Sequence, residues 1–189
     1  LLSVALYNAL QYMALKTSTP INVTLVAASM PVWMLLLGRV FHGVAVTRRA
    51  ALGALFSLAG VVVVLTRGDW HQLRALQLVP GDAWMVAASI TWAGYSWMLA
   101  RPAPGSEPAE VRRDWAAFLL TQVTFGLMWS SVMTAGEWAL LPTLPDGEHH
   151  LRWGWPLALS LLYVAVGPSL LAYRAWGAGV ARVGPTVAG

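Results

Sequence analysis

The stretch Trp115–Gly136 is WAAFLLTQVTFGLMWSSVMTAG and contains no charged side chain. Four other stretches of similar length are also uncharged: Thr17–Gly38, Ala50–Thr66, Ala83–Ala100 and Trp153–Tyr173. Because an α-helix rises about 1.5 Å per residue, roughly 20 apolar residues cross the ~30 Å hydrocarbon layer of a bilayer. Helices of soluble proteins seldom remain uncharged on all faces over this length. The sequence therefore predicts a protein with several membrane spans.

The composition agrees with this prediction. Of the 189 residues, 58% are hydrophobic and 11% are charged, whereas a soluble domain carries about 25% charged residues. Backbone groups have no water partner in lipid, so a span is a helix or part of a closed barrel, and the run Gly60–Leu65 lacks the alternation of a strand. We predict an all-α, polytopic transmembrane helix bundle. The sequence contains no Cys, which excludes disulfides and thiolate chemistry within it.

Both ends of the sequence are apolar. Leu1–Leu15 is typical of the end of a span, since no basic region precedes it as in a signal peptide, and Val183–Gly189 begins another apolar stretch. We expect the chain to be part of a longer protein. Short charged links separate the spans, and Arg174–Arg182 is predicted to be the last of them.

Positive charge is distributed unevenly over these links. If successive links lie on opposite membrane faces, one face receives eight cations (Arg39, Arg48, Arg49, Arg101, Arg112, Arg113, Arg174 and Arg182) and the other receives four (Lys16, Arg67, Arg74 and Arg152). The positive-inside rule then predicts that links 39–49 and 101–114 face the cytoplasm, with the protein in the cell (inner) membrane.

Two segments of the chain share one pattern. Aligning Tyr7-Asn8-Ala9 with Tyr173-Arg174-Ala175 places Lys16 over Arg182 and Thr19-Pro20 over Pro185-Thr186. Each copy contains an aromatic span end, a basic link and a small-residue start to the next span. Because Lys16 and Arg182 are predicted on opposite membrane faces, the copies have opposite orientation, as do the inverted repeats of secondary transporters.

The order of several short motifs resembles a known family. Residues 14–24 (ALKTSTPINVT), Met30-Pro31-Val32, Leu37-Gly38 and Gly53…Gly60-Val61 are similar to the first repeat of EamA-type transporters of the drug/metabolite transporter (DMT) superfamily. Residues 81–84 (GDAW), 89–95 (SITWAGY) and Ala100-Arg101 resemble the start of the second repeat. Residues 170–176 (LLAYRAW) and 182–186 (RVGPT) resemble its later part.

The resemblance implies ten spans in two inverted five-helix repeats, of which this chain carries spans three to eight and the start of nine. Residues 1–66 would form the C-terminal part of the first repeat (spans three to five), 67–80 a loop, and 81–189 most of the second repeat. It also implies outward transport of small organic metabolites or drug-like solutes by alternating access. One departure is Arg39, which stands where the family often has Glu after the Leu-Gly that ends span four.

Polar and aromatic side chains within the spans are candidates for a substrate cavity. Residues spaced by three, four and seven share a helix face, and such faces suit an amphiphilic solute if they converge. The predicted cavity comprises Asn22, Ser29, Trp33, Trp92, Tyr95, Gln122 and Tyr163. The alternative is that these side chains only bind neighbouring helices. Among the charged residues, Arg174 comes closest to lying within a span, and its plainer interpretation is that it extends to the lipid headgroups.

Two prolines and one acid have predicted mechanical roles. Pro31 and Pro168 lie inside uncharged stretches, where each removes a backbone hydrogen bond and bends the helix. They are candidate hinges, and the alternative is a static kink. Asp82 lies at a span end and is expected to cap or start a helix.

Other functions find little support in the sequence. Asp146–His150 contains Asp, Glu and His, but neighbouring loop residues do not readily converge on one metal ion, so a solvated loop is preferred. No basic run suits nucleic acid, and no catalytic motif is present. We predict a transporter that is not an enzyme and uses no cofactor or metal, with a small-molecule solute and the lipid bilayer as partners. The alternatives are a phosphorylated-sugar or nucleotide-sugar carrier of the same superfamily, and a non-transport membrane scaffold or lipid enzyme.

Overall fold

The computed structural model describes residues 2–66, 69, 71, 79–102, 114–140 and 153–188. The elements are α1 (Leu2–Thr17), α2 (Pro20–Ala27), α3 (Met30–His42), α4 (Arg48–Thr66), α5 (Pro80–Ala100), α6 (Trp115–Leu140), α7 (Trp155–Val164), a π-helical turn (Ala165–Leu171), α8 (Ala172–Val183) and α9 (Pro185–Ala188). Within these ranges every element is helical, so the predicted all-α fold is confirmed.

Three described segments are long and apolar enough to cross a membrane: Pro20–His42, Trp115–Gly136 and Trp155–Val183. Their apolar side chains point outward rather than into a core, and Leu120, Leu127 and Leu162 are each at least 60% exposed. Exposure of such an apolar surface to water is unfavourable, whereas its contact with lipid tails is favourable. The chain is therefore a multi-pass membrane protein, as the sequence predicts.

Helix α5 lies at the centre of the described bundle and contacts α1, α2, α3, α8 and α9. It buries Ser89 and Ser96 completely, and each hydroxyl donates to the carbonyl oxygen four residues back. Because protein surrounds this helix, it tolerates polar and small side chains that a lipid-facing helix avoids. Beside it, Leu10, Ala14 and Val23 of α1 and α2 pack against Met85 and Ala88 of α5.

The predicted span Thr17–Gly38 is shifted and interrupted in the structure. It is helical from Pro20 to His42, with a break at Ala28–Ser29 between α2 and α3. Thr19 begins α2, because its hydroxyl oxygen accepts the backbone N–H of Asn22 at 3.2 Å. Pro31 lies in the first turn of α3, where the helix does not need its missing N–H.

The prediction that Arg174–Arg182 is a link between spans is wrong. One apolar helical segment continues from Trp155 to Val183, and Pro168 lies in its π-helical turn. Proline lacks an N–H and its ring collides with the carbonyl four residues back, and the wider π turn accommodates both without ending the helix. Arg174 lies roughly 28 Å along the helix from Trp155, at 1.5 Å per residue. A long basic side chain can extend toward the membrane surface from such a position while the backbone stays helical.

The remaining links are not described in full. Most of 67–80 and 101–114 and the whole Asp146–His150 loop lie outside the described residues. At the start of the 101–114 link, Arg101 donates from Nη1 to the carbonyl oxygen of His42 at 3.1 Å, which joins the ends of α3 and α5.

Candidate functional site

Five aromatic side chains from α1, α5 and α8 form an aromatic cluster around Trp92: Tyr7, Trp92, Tyr95, Tyr173 and Trp176. The centroid of the Trp92 ring lies 4.9 Å from that of Tyr7 and 5.4 Å from that of Tyr95. It lies 5.6 Å from the Tyr173 ring and 5.4 Å from the Trp176 ring. These separations and tilted orientations are those of attractive aromatic pairs. The cluster therefore joins α1 to α8 across the central helix.

Two long-range hydrogen bonds hold the polar edge of this cluster. Tyr95 donates its hydroxyl to Oε1 of Gln122 on α6 at 2.9 Å, and both side chains are buried. Asn8 of α1 donates from Nδ2 to the hydroxyl oxygen of Tyr173 at 3.3 Å. Inside a membrane, a polar group without a partner is costly. These bonds therefore fix the positions of the tyrosine rings relative to α1 and α6.

A cavity of about 360 Å³ lies between α5, α6 and α8, and we call it the main cavity because of its aromatic and amide lining, although a depression of about 470 Å³ lies beside Trp97 and Arg101. Helix α6 lines it with large side chains, including Trp115 and Phe118, whereas α8 faces them with Gly177, Ala178 and Ala181. The space exists because the residues of α8 opposite these rings are too small to fill it. Its volume falls within the range of roughly 300–1,000 Å³ that is usual for small-molecule sites.

A second cavity of about 190 Å³ adjoins the main cavity and shares Leu119, Gln122 and Tyr173 with it. It is lined further along α6 by residues as far as Ser130. From Trp115 to Ser130 the lining of α6 covers roughly 22 Å, at 1.5 Å per residue. The two cavities together follow much of the thickness of a bilayer, and Gln122 and Tyr173 lie where they meet.

Arg174 is the charged side chain that lines the main cavity. Its guanidinium carbon lies 4.5 Å from the centroid of the Trp115 ring, within the range of a cation–π interaction. The first residue of α6 thereby holds the positive charge beside the cavity, near the end of the hydrocarbon layer.

The structure brings some of the predicted cavity residues together. Tyr95 and Gln122 line the main cavity. Trp92 contacts the rings of Tyr95 and Tyr173 and supports that wall. Tyr163 of α7 is elsewhere, because its side chain is 72% exposed and lines neither cavity.

The other predicted residues belong to different contacts. Asn22 is buried near the N-terminus of α5, where its Nδ2 donates to Oδ2 of Asp82 at 3.4 Å. Trp33 of α3 donates from Nε1 to the hydroxyl oxygen of Ser29 at 3.0 Å, and Ser29 donates to the carbonyl oxygen of Val26 in α2 at 2.6 Å, so Ser29 links the two helices across the break. In the part of the chain that the structure describes, no three His, Asp or Glu side chains are grouped to hold a metal ion.

Four residues that line the main cavity were not predicted from the sequence: Trp115, Phe118, Leu119 and Arg174. Apolar residues of a span have the same composition whether they face lipid or a cavity, so hydrophobicity did not identify them. A spacing signal was present, since Trp115, Phe118, Leu119 and Gln122 are separated by three and four positions and share one face of α6.

Comparisons with known proteins agree with the fold. Residues 1–66 match the model of the EamA-like transporter family. The chain is 24% identical over 178 residues to an uncharacterized transporter, YyaM, of Bacillus subtilis (strain 168). This similarity covers 94% of the chain and 54% of the relative, so the chain spans about half the length of that transporter. No solved structure matches the chain significantly.

The family match covers helices α1 to α4, and the similarity to YyaM covers 94% of the chain. Together with the apolar helices, these similarities support the assignment of the protein to the EamA-like transporters of the drug/metabolite transporter superfamily.

Proposed function

We propose that the full-length protein moves a small organic metabolite or drug-like solute out of the cell by alternating access. The observation that carries this proposal is the main cavity, which lies between membrane helices and is lined by aromatic rings, the Gln122 amide and a tyrosine hydroxyl. Such a lining suits an amphiphilic solute. A gradient supplies the driving force, and the protein carries out no chemical reaction on the solute.

The contacts around Trp92 support an arrangement of two inverted repeats. Tyr7 and Tyr173, which the repeat alignment pairs, both contact the Trp92 ring, one from α1 and one from α8. After α1 and after α8 the helix stops, and a new helix starts at Pro20 and at Pro185. We propose that residues 1–66 and 81–189 belong to the first and second repeats of a ten-span carrier, with Pro31 and Pro168 as bending points.

We propose that links 39–49 and 101–114 face the cytoplasm and that the protein lies in the inner membrane. The sequence has no Cys, which allows a direct test by single substitutions in a full-length protein freed of any other Cys. Val46→Cys and His71→Cys place a thiol at exposed positions of successive links. A membrane-impermeant maleimide added to whole cells is expected to label position 71 and not position 46. Labelling of position 46 alone would reverse the orientation.

The transport test removes the centre of the aromatic cluster. Efflux of a panel of radiolabelled organic solutes is measured in cells that produce the full-length protein and in cells without it. Trp92→Ala is expected to lose most efflux at normal membrane levels, whereas Trp92→Phe retains part of it because a ring remains between Tyr7 and Tyr173. Trp84→Ala is the matched control, since Trp84 lies on the same helix and is 42% exposed.

Two results would contradict the proposal. If the wild-type protein increases the efflux of no solute in the panel, transport of small organic solutes fails as the function. If Trp92→Ala transports as well as Trp84→Ala at equal abundance, the aromatic cluster has no part in transport.

A further inference from the structure

We infer that the main cavity selects a small organic monocarboxylate with an apolar or aromatic body. The inference rests on the proposed function, because it names the solute class of the same cavity. It starts from the charge of the lining: Arg174 is the charged residue there, and the other lining residues are aromatic, aliphatic, small or, in the case of Gln122, an amide.

The positive charge of Arg174 is not neutralised by the described acids. Asp114, the acid next to Trp115 in sequence, accepts the backbone N–H of Ala116 at 2.9 Å and that of Ala117 at 3.4 Å. It therefore caps the start of α6. In the described ranges no carboxylate forms an ion pair with Arg174, whose recorded contact is the ring of Trp115. The Arg174 side chain is exposed at the edge of a mostly apolar cavity, and a cation there, with no described carboxylate paired to it, favours an anionic ligand.

The chemistry of the guanidinium favours a carboxylate. Contact with the face of the Trp115 ring orients Arg174 without using its N–H donors as hydrogen-bond partners. Those donors form a planar fork that matches a carboxylate through two parallel hydrogen bonds. Beyond the charge, Phe118 and Tyr173 supply apolar and aromatic walls for the body of the solute, and the Gln122 amide lies deeper.

One cation also limits the charge of the solute. A phosphate ester carries about 1.5 to 2 negative charges at neutral pH, and a single Arg compensates only part of that charge. The main cavity therefore fits a monoanion better than the phosphorylated sugar or nucleotide sugar considered from the sequence.

The test uses purified full-length protein in nanodiscs of zwitterionic phosphatidylcholine. Phenylacetate and phenylacetamide have nearly the same shape and differ in charge, and calorimetric titration compares their dissociation constants. Phenylacetate is expected to bind about tenfold or more tightly than its amide, because hydrogen bonds to charged groups are the stronger ones. Arg174→Gln is expected to abolish this preference, and Arg174→Lys to keep part of it. Arg182→Gln, on the same helix but outside the cavity lining, is expected to leave it unchanged.

Three outcomes overturn the inference: no saturable binding of phenylacetate, equal affinity for acid and amide, or a preference that survives Arg174→Gln. If Arg174 instead anchors the protein to lipid, the preference for phenylacetate survives Arg174→Gln. In that case phosphatidylglycerol also raises the melting temperature of the wild type but not that of the Arg174→Gln variant. Failure of the inference can be distinguished from failure of the proposed function. Efflux of neutral or cationic solutes without a preference for carboxylates rejects the inference and keeps the transporter, whereas carboxylate binding without any efflux rejects the transporter and keeps the site.

Discussion

The two sides of helix α5 use glycine in opposite ways. On the side of α1 and α3, Gly81 and Gly38 allow close approach: an added Cβ would overlap the backbone of Ala14 in the first case and the Trp97 ring in the second. On the side of α6 and α8, a Cβ at Gly126 or Gly177 would meet no atom within 4 Å. The first side is packed, and the second leaves space for a solute. Glycine content alone therefore does not distinguish a helix interface from a cavity wall.

Hydrogen bonding reinforces this difference. On the packed side, Asp82 is buried and accepts hydrogen bonds from the hydroxyl of Ser18, the side-chain amide of Asn22 and the backbone N–H of Val79, the last at 3.0 Å. The bond from Val79 confirms the prediction that Asp82 caps a helix. Three segments of the chain thus converge on one carboxylate. We expect substitutions on the packed side to affect folding and those on the open side to affect transport.

The largest effect is expected from Gly81→Val. The new side chain would overlap the backbone of Ala14 and force α1 away from α5. Overpacking of this kind costs about 1–3 kcal/mol and more where backbone must move. The variant is expected to accumulate poorly in membranes and to melt at a lower temperature in detergent, as measured by fluorescence-detected size exclusion. Gly53→Val is the control, because the space beside Gly53 is open. Equal melting temperatures for the two variants would contradict the close packing.

The next effect is expected from Asp82→Ala. It removes the acceptor shared by Ser18, Asn22 and Val79, and unsatisfied buried donors cost about 1–3 kcal/mol. We expect a lower melting temperature, with the solute affinity of the remaining folded protein little changed. Asp69→Ala, at an exposed carboxylate whose described side-chain hydrogen bond is with the backbone N–H of His71, should have a smaller effect. A loss of transport without any loss of stability would instead assign Asp82 a direct part in the transport cycle.

A third effect separates transport from stability on the open side. Gly177→Leu fills the main cavity without a steric conflict at Cβ. We expect efflux to fall about tenfold or more, because the solute loses its site, with a melting temperature near that of the wild type. Gly53→Leu makes the same change outside both cavities. Normal efflux in the Gly177 variant would show that the solute does not occupy the main cavity.

The smallest effect is expected from Tyr163→Ala, which tests the outlying residue of the predicted cavity. Its side chain is exposed on α7, and exposed substitutions usually change stability by less than about 0.5 kcal/mol. Efflux and melting temperature should both remain near wild type. Tyr173→Ala, by contrast, removes a wall common to both cavities and should reduce efflux. If Tyr163→Ala impairs transport as much as Tyr173→Ala, the solute path runs along α7.

The helices were predictable from the sequence because lipid imposes one simple requirement, a long uncharged helix, and three of the five predicted spans overlap segments that are long and apolar enough to cross a membrane. That requirement placed α6 almost correctly, from Trp115 to Gly136 against an observed end at Leu140. It failed at Arg174, because a charge was taken to mark the end of a span. A long basic side chain reaches the membrane surface from within a helix, so the helix continued to Val183.

The cavity was less predictable, for a different physical reason. Helical spacing states which residues share a face, but not which neighbour that face meets. Asn22, predicted in the cavity, meets Asp82 at the packed end of α5, whereas Tyr95 and Gln122 meet each other at the main cavity. Trp115 and Phe118 carried no polar signal, and only the arrangement of α6 opposite the small residues of α8 identifies them.

The bond between Asn8 and Tyr173 has a consequence for biosynthesis. Its partners are separated by 165 positions in sequence, and the ring of Trp92, which lies between them in sequence, contacts the ring of Tyr173. Because α1 is synthesised and inserted long before α8, the face of α1 that carries Asn8 contacts lipid or another helix until Tyr173 becomes available. The packed side assembles from α1, α2, α3 and α5 alone, whereas the aromatic cluster closes only after α8, which carries Tyr173 and Trp176, has been inserted.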